Sequence, residues 1–380
     1  MKLLAHIDWW LVLLTAALAM VGVAFVHSGT AVDARFSDQV SRQLLFYCVA
    51  GVLAILLVAV PYVRIMRSAW IWYGVAVVAL AGLPWFGVMI NGSRRWYRVF
   101  GFGLQPSEFA KIAVIIVLAA WLRFRAKART IDGLLVPMLI TAVPVGLILE
   151  QPDLGSSLVF WPVLIAMCYA AGTPARTLAI VVLLGAVVLV LAYTTVLHDY
   201  QKMRVDVWLS HFGWDRATVE TPEVVRTLRA EGYQPWQSLI GIGAGGLTGF
   251  GFMQGPQSQF DFLPYRSGDY IFAVVCEESG WLGAVAVLAL EVLLVAAIAR
   301  VALRCRERFG RLLAVGVATY LGTQALLHIA VCAWLVPATG LPMPFISYGG
   351  SSVVSSVMAV ALAINVGARR EPVLAADGYA

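Results

Sequence analysis

The chain has 380 residues, of which 61% are hydrophobic and only 13% charged, against about 25% charged in an ordinary soluble domain; this excludes a string of soluble domains. The net charge of +6 sits in short clusters between apolar blocks, where orientation in a membrane accounts for it, so it implies no nucleic-acid partner. Five cysteines, Cys48, Cys168, Cys276, Cys305 and Cys332, form no CxxC or Cys/His spacing, which argues against disulfides and a zinc site.

Apolar blocks run at about 9–26, 44–60, 70–90, 109–122, 134–149, 157–171, 177–197, 270–299, 313–336 and 348–366. Blocks of this length with almost no charge are the signature of bilayer spans. They predict an all-α polytopic membrane protein with ten transmembrane helices in a single integral membrane domain, 1–380, whose first block stays as an anchor. If the N-terminus is cytoplasmic, fifteen Lys and Arg residues fall inside and eleven outside, with Lys111 left within a helix. Six of the eleven lie in one long segment, 198–269, and long loops are weak votes under the positive-inside rule. Both termini are therefore expected in the cytoplasm, with 198–269 a large extracytoplasmic loop between helices 7 and 8.

Ionisable residues at helix depth are informative because each costs roughly 2.5–3.5 kcal/mol at the bilayer centre by insertion scales. Glu108 and Lys111 open the fourth helix three residues apart, hence on one face, behind Pro106. They read either as a self-neutralising ion pair or as a pair lining an outward cavity. Asp153 begins the sixth helix and Asp269 the eighth, where each could cap its helix. Glu277 lies about 80° and Glu278 about 180° around the helix from Asp269, so at most one shares its face. Glu291 is deeper, to meet a neighbouring helix or a partner. His328 in the ninth helix has no second His nearby and is assigned no chemistry. Gly241-Ile242-Gly243-Ala244-Gly245-Gly246 matches GxGxxG by letter, but it lacks a preceding strand and is no nucleotide site. What remains is an outer-face collection of Arg94, Arg95, Trp96, Arg98, Glu108, Lys111, Asp153 and Asp269. Cations beside carboxylates at a membrane surface suit a lipid pyrophosphate and a hydroxyl to be activated. The residues alone do not separate a lipid transporter from a lipid-using transferase.

Several motifs in order resemble the SEDS family (shape, elongation, division, sporulation), most closely its RodA branch. They are Asn91-Gly92-Ser93-Arg94-Arg95-Trp96, Gln105-Pro106-Ser107-Glu108-Phe109-Ala110-Lys111, Gln151-Pro152-Asp153-Leu154-Gly155, Tyr233-Gln234-Pro235-Trp236-Gln237-Ser238, Gly255-Pro256-Gln257-Ser258-Gln259, and Gly340-Leu341-Pro342-Met343-Pro344-Phe345. Gln257-Ser258-Gln259 before Phe262-Leu263-Pro264 favours the elongation branch. The resemblance implies a peptidoglycan glycosyltransferase of the bacterial cytoplasmic membrane that polymerises lipid II on the outer face. It also implies a class B penicillin-binding protein as partner, within the elongation machinery. The family's essential aspartate corresponds to Asp269, in Gly268-Asp269-Tyr270-Ile271-Phe272-Ala273, and its Trp, Glu, Lys and second Asp positions to Trp96, Glu108, Lys111 and Asp153. Gln257 and Ser258 join Trp96, Arg94, Arg95 and Arg98 as expected substrate contacts. Two departures stand out: Tyr265-Arg266-Ser267-Gly268 replaces the family's Glu-x-His-Thr, and Phe250 stands where a Lys is frequent. Asp269 is the expected base for an inverting transfer and Lys111, Arg94, Arg95 or Arg98 the expected cation at the pyrophosphate. Carboxylates alone establish no metal, although a Mg²⁺ bridging the pyrophosphate is compatible with them. A carrier of lipid-linked precursors and an inactive scaffold are the competing readings.

Overall fold

An apolar run in a bilayer has no water for its backbone groups, and a helix is the open-ended element that satisfies its own. The computed structural model describes residues 6–31, 36, 38–90, 93–99, 101–124, 131–195, 199–212 and 232–369. The expectations for Asn91, Gly92, the cytoplasmic cluster Arg125, Lys127 and Arg129, the stretch 213–231 and the tail from Arg370 fall outside those residues.

The helices, in chain order, are α1 (Trp9–Thr30), α2 (Gln39–Ala59), α3 (Tyr62–Arg67), α4 (Ala69–Ala81), α5 (Leu83–Phe86), α6 (Pro106–Leu122), α7 (Ile131–Glu150), α8 (Leu154–Ala171), α9 (Ala175–Thr195), α10 (Asp199–His211), α11 (Tyr233–Ala244), α12 (Pro256–Gln259), α13 (Ile271–Arg304), α14 (Arg308–Cys332) and α15 (Gly350–Ala368). Nine of the ten apolar blocks each fall largely on one helix. Among the described residues seven helices are long and apolar enough to cross a membrane, namely α1, α2, α7, α8, α13, α14 and α15. The third block breaks up, because α4 stops at Ala81 and is followed by α5 and a strand.

The fold is not purely helical. Between α5 and α6 lies a three-stranded antiparallel sheet of β1 (Val88–Ile90), β2 (Ser93–Val99) and β3 (Phe102–Leu104), in the order β1-β2-β3. Val88 pairs with Trp96 and Tyr97 with Leu104. The sheet is fixed to the bundle through Ser351 at the start of α15, whose hydroxyl accepts from Gln105 N at 2.8 Å and donates to Gly103 O at 3.3 Å.

The centre of the bundle is α6 and α15, which are buried along nearly their whole length, while α1 and α2 present long exposed apolar faces. Enclosed helices can carry polar groups because neighbours supply partners, and the lipid-facing ones cannot. At one end Asn365 of α15 donates to Val60 O at 2.7 Å, and Arg300 of α13 pairs with Asp8 at the start of α1 at 3.0 Å.

At about 1.5 Å per residue α13 would measure about 51 Å, well beyond a hydrocarbon core of about 30 Å. It is broken at Gly280 (φ 65°, ψ −164°) into an enclosed upper piece, Ile271–Ser279, and a long lower piece, Trp281–Arg304. The loop after α11 fills the gap: Trp281 N donates to Gly246 O (2.9 Å) and Leu282 N to Leu247 O (3.1 Å), while Phe250 N and Gly251 N donate to Glu277 O (3.1 Å) and Glu278 O (2.9 Å). Every backbone group named is thereby paired, although the helix is interrupted. Gly280 is the break itself. A Cβ there would meet Gly249 N at 2.4 Å. Gly280→Ala is therefore expected to destabilise the protein by at least the roughly 1–2 kcal/mol of its left-handed φ alone, read as a lowered melting midpoint in detergent; an unchanged midpoint contradicts the break.

Candidate functional site

Asp269 sits immediately before α13, where the segment 338–348 between α14 and α15 closes over it. A Cβ on Gly340 (φ +67°) would lie 3.4 Å from Asp269 Oδ2, so the backbone of that segment forms one wall. Cys332 Sγ lies 3.7 Å from the Asp269 carbonyl oxygen. Arg204 of α10 donates to Ala338 O at 3.3 Å, on the same segment. On another side the turn before α8 carries Asp153, which caps that helix by accepting from Ser156 N (3.1 Å) and Ser156 Oγ (2.8 Å), and also takes Gln105 Nε2 at 3.2 Å. Gly155 packs against Thr339, leaving no room for a Cβ, so the α8 start and the 338–348 segment touch.

Arg95 completes the ring. Its Nε donates to Gln151 O at 2.8 Å and its Nη2 to Pro152 O, which ties β2 to the turn that carries Asp153. Burial pushes the Asp269 carboxyl up to about 6, with the Asp153 charge adding to the rise and Arg204 and Arg95 opposing it. A carboxyl so placed is ionised at neutral pH yet basic enough to take a proton from a hydroxyl.

The expected site residues divide into four places. Asp269, Asp153 and Arg95 converge. Strand alternation puts Arg94, Trp96 and Arg98 on the other face of β2, with Arg94 exposed and donating to Pro84 O at 2.6 Å, Arg98 exposed, and Trp96 half-buried against Gly103. Glu108 and Lys111 form an ion pair at 2.6 Å, only 1% and 2% exposed, which is the enclosed pair and not one lining an open cavity. Glu108 Oε2 also accepts from Ser355 Oγ at 3.0 Å, and Lys111 Nζ donates to Gln324 Oε1 at 2.6 Å. Gln257 and Ser258 open α12, where the Glu277 carboxylate accepts their backbone N–H groups at 2.5 and 3.1 Å. The Ser258 hydroxyl is enclosed between Gly255 O and Glu278, which also accepts from Ser28 Oγ. These two residues seat α12 on α13 through their backbone N–H groups.

Sequence reading missed Arg204, Gln324, Thr339 and Gly340 as neighbours of these groups. Arg204 gave no local signal beyond a cation in a polar stretch. Gln324 did, as a polar residue in an apolar helix. Asp153 and Asp269 offer carboxylates to a pyrophosphate-bound Mg²⁺, and among the described residues no group of three His, Cys, Asp or Glu side chains is placed to hold a metal by itself.

A sequence profile of the cell cycle protein family FTSW_RODA_SPOVE matches residues 8–371. The chain belongs to this family. The SEDS resemblance read from the motifs is thus shown, and the chain is an integral membrane protein of the FtsW/RodA fold. It is 36% identical to the probable peptidoglycan glycosyltransferase FtsW of Geobacter metallireducens, over 97% of this chain and 96% of the relative. It is 28% identical to the peptidoglycan glycosyltransferase MrdB of Escherichia coli, over 96% of this chain and 95% of the relative. Among solved structures, a chain from a peptidoglycan synthase complex superposes with a TM-score of 0.78 at 29% identity, covering 96% of this chain and 98% of that one. The rod shape determining protein RodA of Thermus thermophilus superposes with a TM-score of 0.69 at 28% identity, covering 96% and 97%. FtsW-named and RodA-type relatives both match along nearly the full length, so membership of the family is shown and membership of the RodA branch is not.

Proposed function

We propose that this SEDS protein is a peptidoglycan glycosyltransferase that polymerises lipid II at the outer face of the bacterial cytoplasmic membrane. The observation that carries the reading is the Asp269 carboxyl, set against Gly340 with Asp153, Arg95 and Arg204 around it. The acceptor sugar hydroxyl attacks the anomeric carbon of the donor; Asp269 takes the hydroxyl proton as the new bond forms. The bond from that carbon to the pyrophosphate oxygen breaks with inversion, and the electron pair leaves on the lipid pyrophosphate. Arg95 and Arg204 are the cations at hand for that charge, with Arg94 and Arg98 at the exposed edge of β2 beside Trp96 for the approaching headgroup. Enclosure of Glu108 and Lys111 makes them the support of this site. Both termini in the cytoplasm and an outer 198–269 loop follow from the Lys and Arg count and set the site on the outside.

The partner proposed is a class B penicillin-binding protein, consistent with the synthase complex that supplies one structural relative. The exposed lower face of α13, with Trp281, Leu282, Val285, Leu288 and Val292, is the surface proposed for its transmembrane helix. Purified protein with that partner, lipid II and a penicillin to block crosslinking is expected to yield glycan chains; their absence at full partner occupancy refutes the reading. Elongation is the role we assign from Gln257-Ser258-Gln259. Depletion should then give rounded cells, and filaments would move the protein to division.

A further inference from the structure

Along one stripe of α14 every fourth residue is polar or polarisable, and all are enclosed: Tyr320, Gln324, His328 and Cys332. A spacing of four keeps side chains on one face of a helix. Within a membrane bundle such groups persist where each has a partner, and each of these does. The Tyr320 hydroxyl lies 3.2 Å from Ser355 Oγ and 3.5 Å from Glu108 Oε2. Gln324 Oε1 accepts from Lys111 Nζ at 2.6 Å, and its Nε2 donates to Pro342 O at 3.0 Å. His328 Nδ1 is 2.7 Å from Leu341 O, so that nitrogen carries the proton, and Nε2 is 3.5 Å from Cys332 Sγ. Cys332 in turn approaches the backbone oxygen of Asp269 at 3.7 Å.

The lower two rungs hold the enclosed ion pair, and the upper rungs hold the 338–348 segment and the backbone of Asp269. Gln324 bonds to both ends, with one amide divided between Lys111 and Pro342. Next to Pro342 and Leu341 stands Gly340, whose backbone walls the Asp269 carboxylate. A displacement of this wall by about 1 Å is enough to cost on the order of 10²-fold in rate when it misplaces reacting groups.

We propose that Gln324 and His328 are positioning residues for Asp269: Gln324 ties the Pro342 carbonyl to Lys111 and His328 fixes the adjoining Leu341 carbonyl, so that the enclosed Glu108–Lys111 pair sets where Gly340 stands against the carboxylate. The inference rests on the polymerase reading of Asp269, and it gives the enclosed ion pair a function at a site it does not touch. Coupling is carried by a chain of four side chains on one rigid helix.

The test uses the full-length protein with its class B partner, measuring kcat and KM on lipid II together with amide hydrogen exchange across 338–348. In that segment Ile346, Ser347 and Tyr348 have bonded amides to report. Gln324→Leu is expected to lower kcat tenfold or more with KM within about twofold, and to speed exchange in the segment at least tenfold. Gln324→Glu keeps an acceptor for Lys111 and loses the donor to Pro342, so it isolates the upper link if Gln324→Leu does not fold; the same two losses are expected. His328→Leu should behave likewise, and His328→Asn, whose amide can replace Nδ1–H, should recover at least half of kcat. Unchanged kcat in folded Gln324 variants, or unchanged exchange in the segment, overturns the proposal. His328→Asn no better than His328→Leu removes His328 from it. Failure of the wild-type protein to make glycan would instead refute the polymerase reading, and the exchange measurements would still decide the coupling.

Discussion

Asp269→Asn is expected to leave the protein folded in membranes and to lower glycan polymerisation by about 10²–10⁴-fold, the usual contribution of a general base. The amide keeps the shape of the carboxyl and cannot accept the hydroxyl proton. Matched in size to the carboxyl, the substitution adds little strain, and the loss is one of chemistry. The sign of the pH dependence follows from the same group. Its carboxyl titrates at about 6, above the usual carboxylate range, so the proton-accepting form is lost as pH falls through 6. The rate constant kcat/KM should therefore be flat above neutrality and fall tenfold per pH unit below about pH 5.5. Activity above half of wild type in Asp269→Asn, or an acid limb near 4, would remove Asp269 from the role of base.

Lys111→Met should produce the largest loss of stability. It leaves the Glu108 carboxylate enclosed with only the Ser355 and Tyr320 hydroxyls as partners, and breaking a buried pair from one side costs about 3–5 kcal/mol. Adding Glu108→Gln removes the orphaned charge, so the double variant should recover most of the melting midpoint. It should not recover activity, because the ammonium that held Gln324 is gone. Equal midpoints for the single and double variants would mean that the charge was never at issue. Full activity in the double variant would reduce the pair to packing.

Helices were legible because a bilayer demands long apolar runs, and hydropathy reports those directly. The break in α13 was not. One glycine within an apolar run of this length leaves no compositional trace, and what fixes its conformation is the loop 246–251, far away in sequence. The small sheet was hidden for the opposite reason: its outer strands have three residues each, too few for alternation to register. Within the site, Glu108 and Lys111 announced a pair through their spacing, but their enclosure depends on Gln324, Tyr320 and Ser355 arriving from α14 and α15. Asp153 showed both readings at once, a cap by its position before α8 and a member of the Asp269 ring by its neighbours. Arg95 and Arg98 looked alike in the sequence, and only the strand pairing of β2 turned one toward Asp269 and the other toward solvent.

The joint at Gly280 divides labour between two rods. The lower one, facing lipid, must follow the thickness of the membrane and the lean of its neighbours, and helices answer such mismatch by tilting. The upper one, Ile271–Ser279, is enclosed, and the loop 246–251 is bonded across the junction. That loop holds both rods, so the angle at the joint is fixed by protein contacts at Gly246, Leu247, Phe250 and Gly251. A lower rod that tilts has to strain those contacts before it shifts the residues beside Asp269.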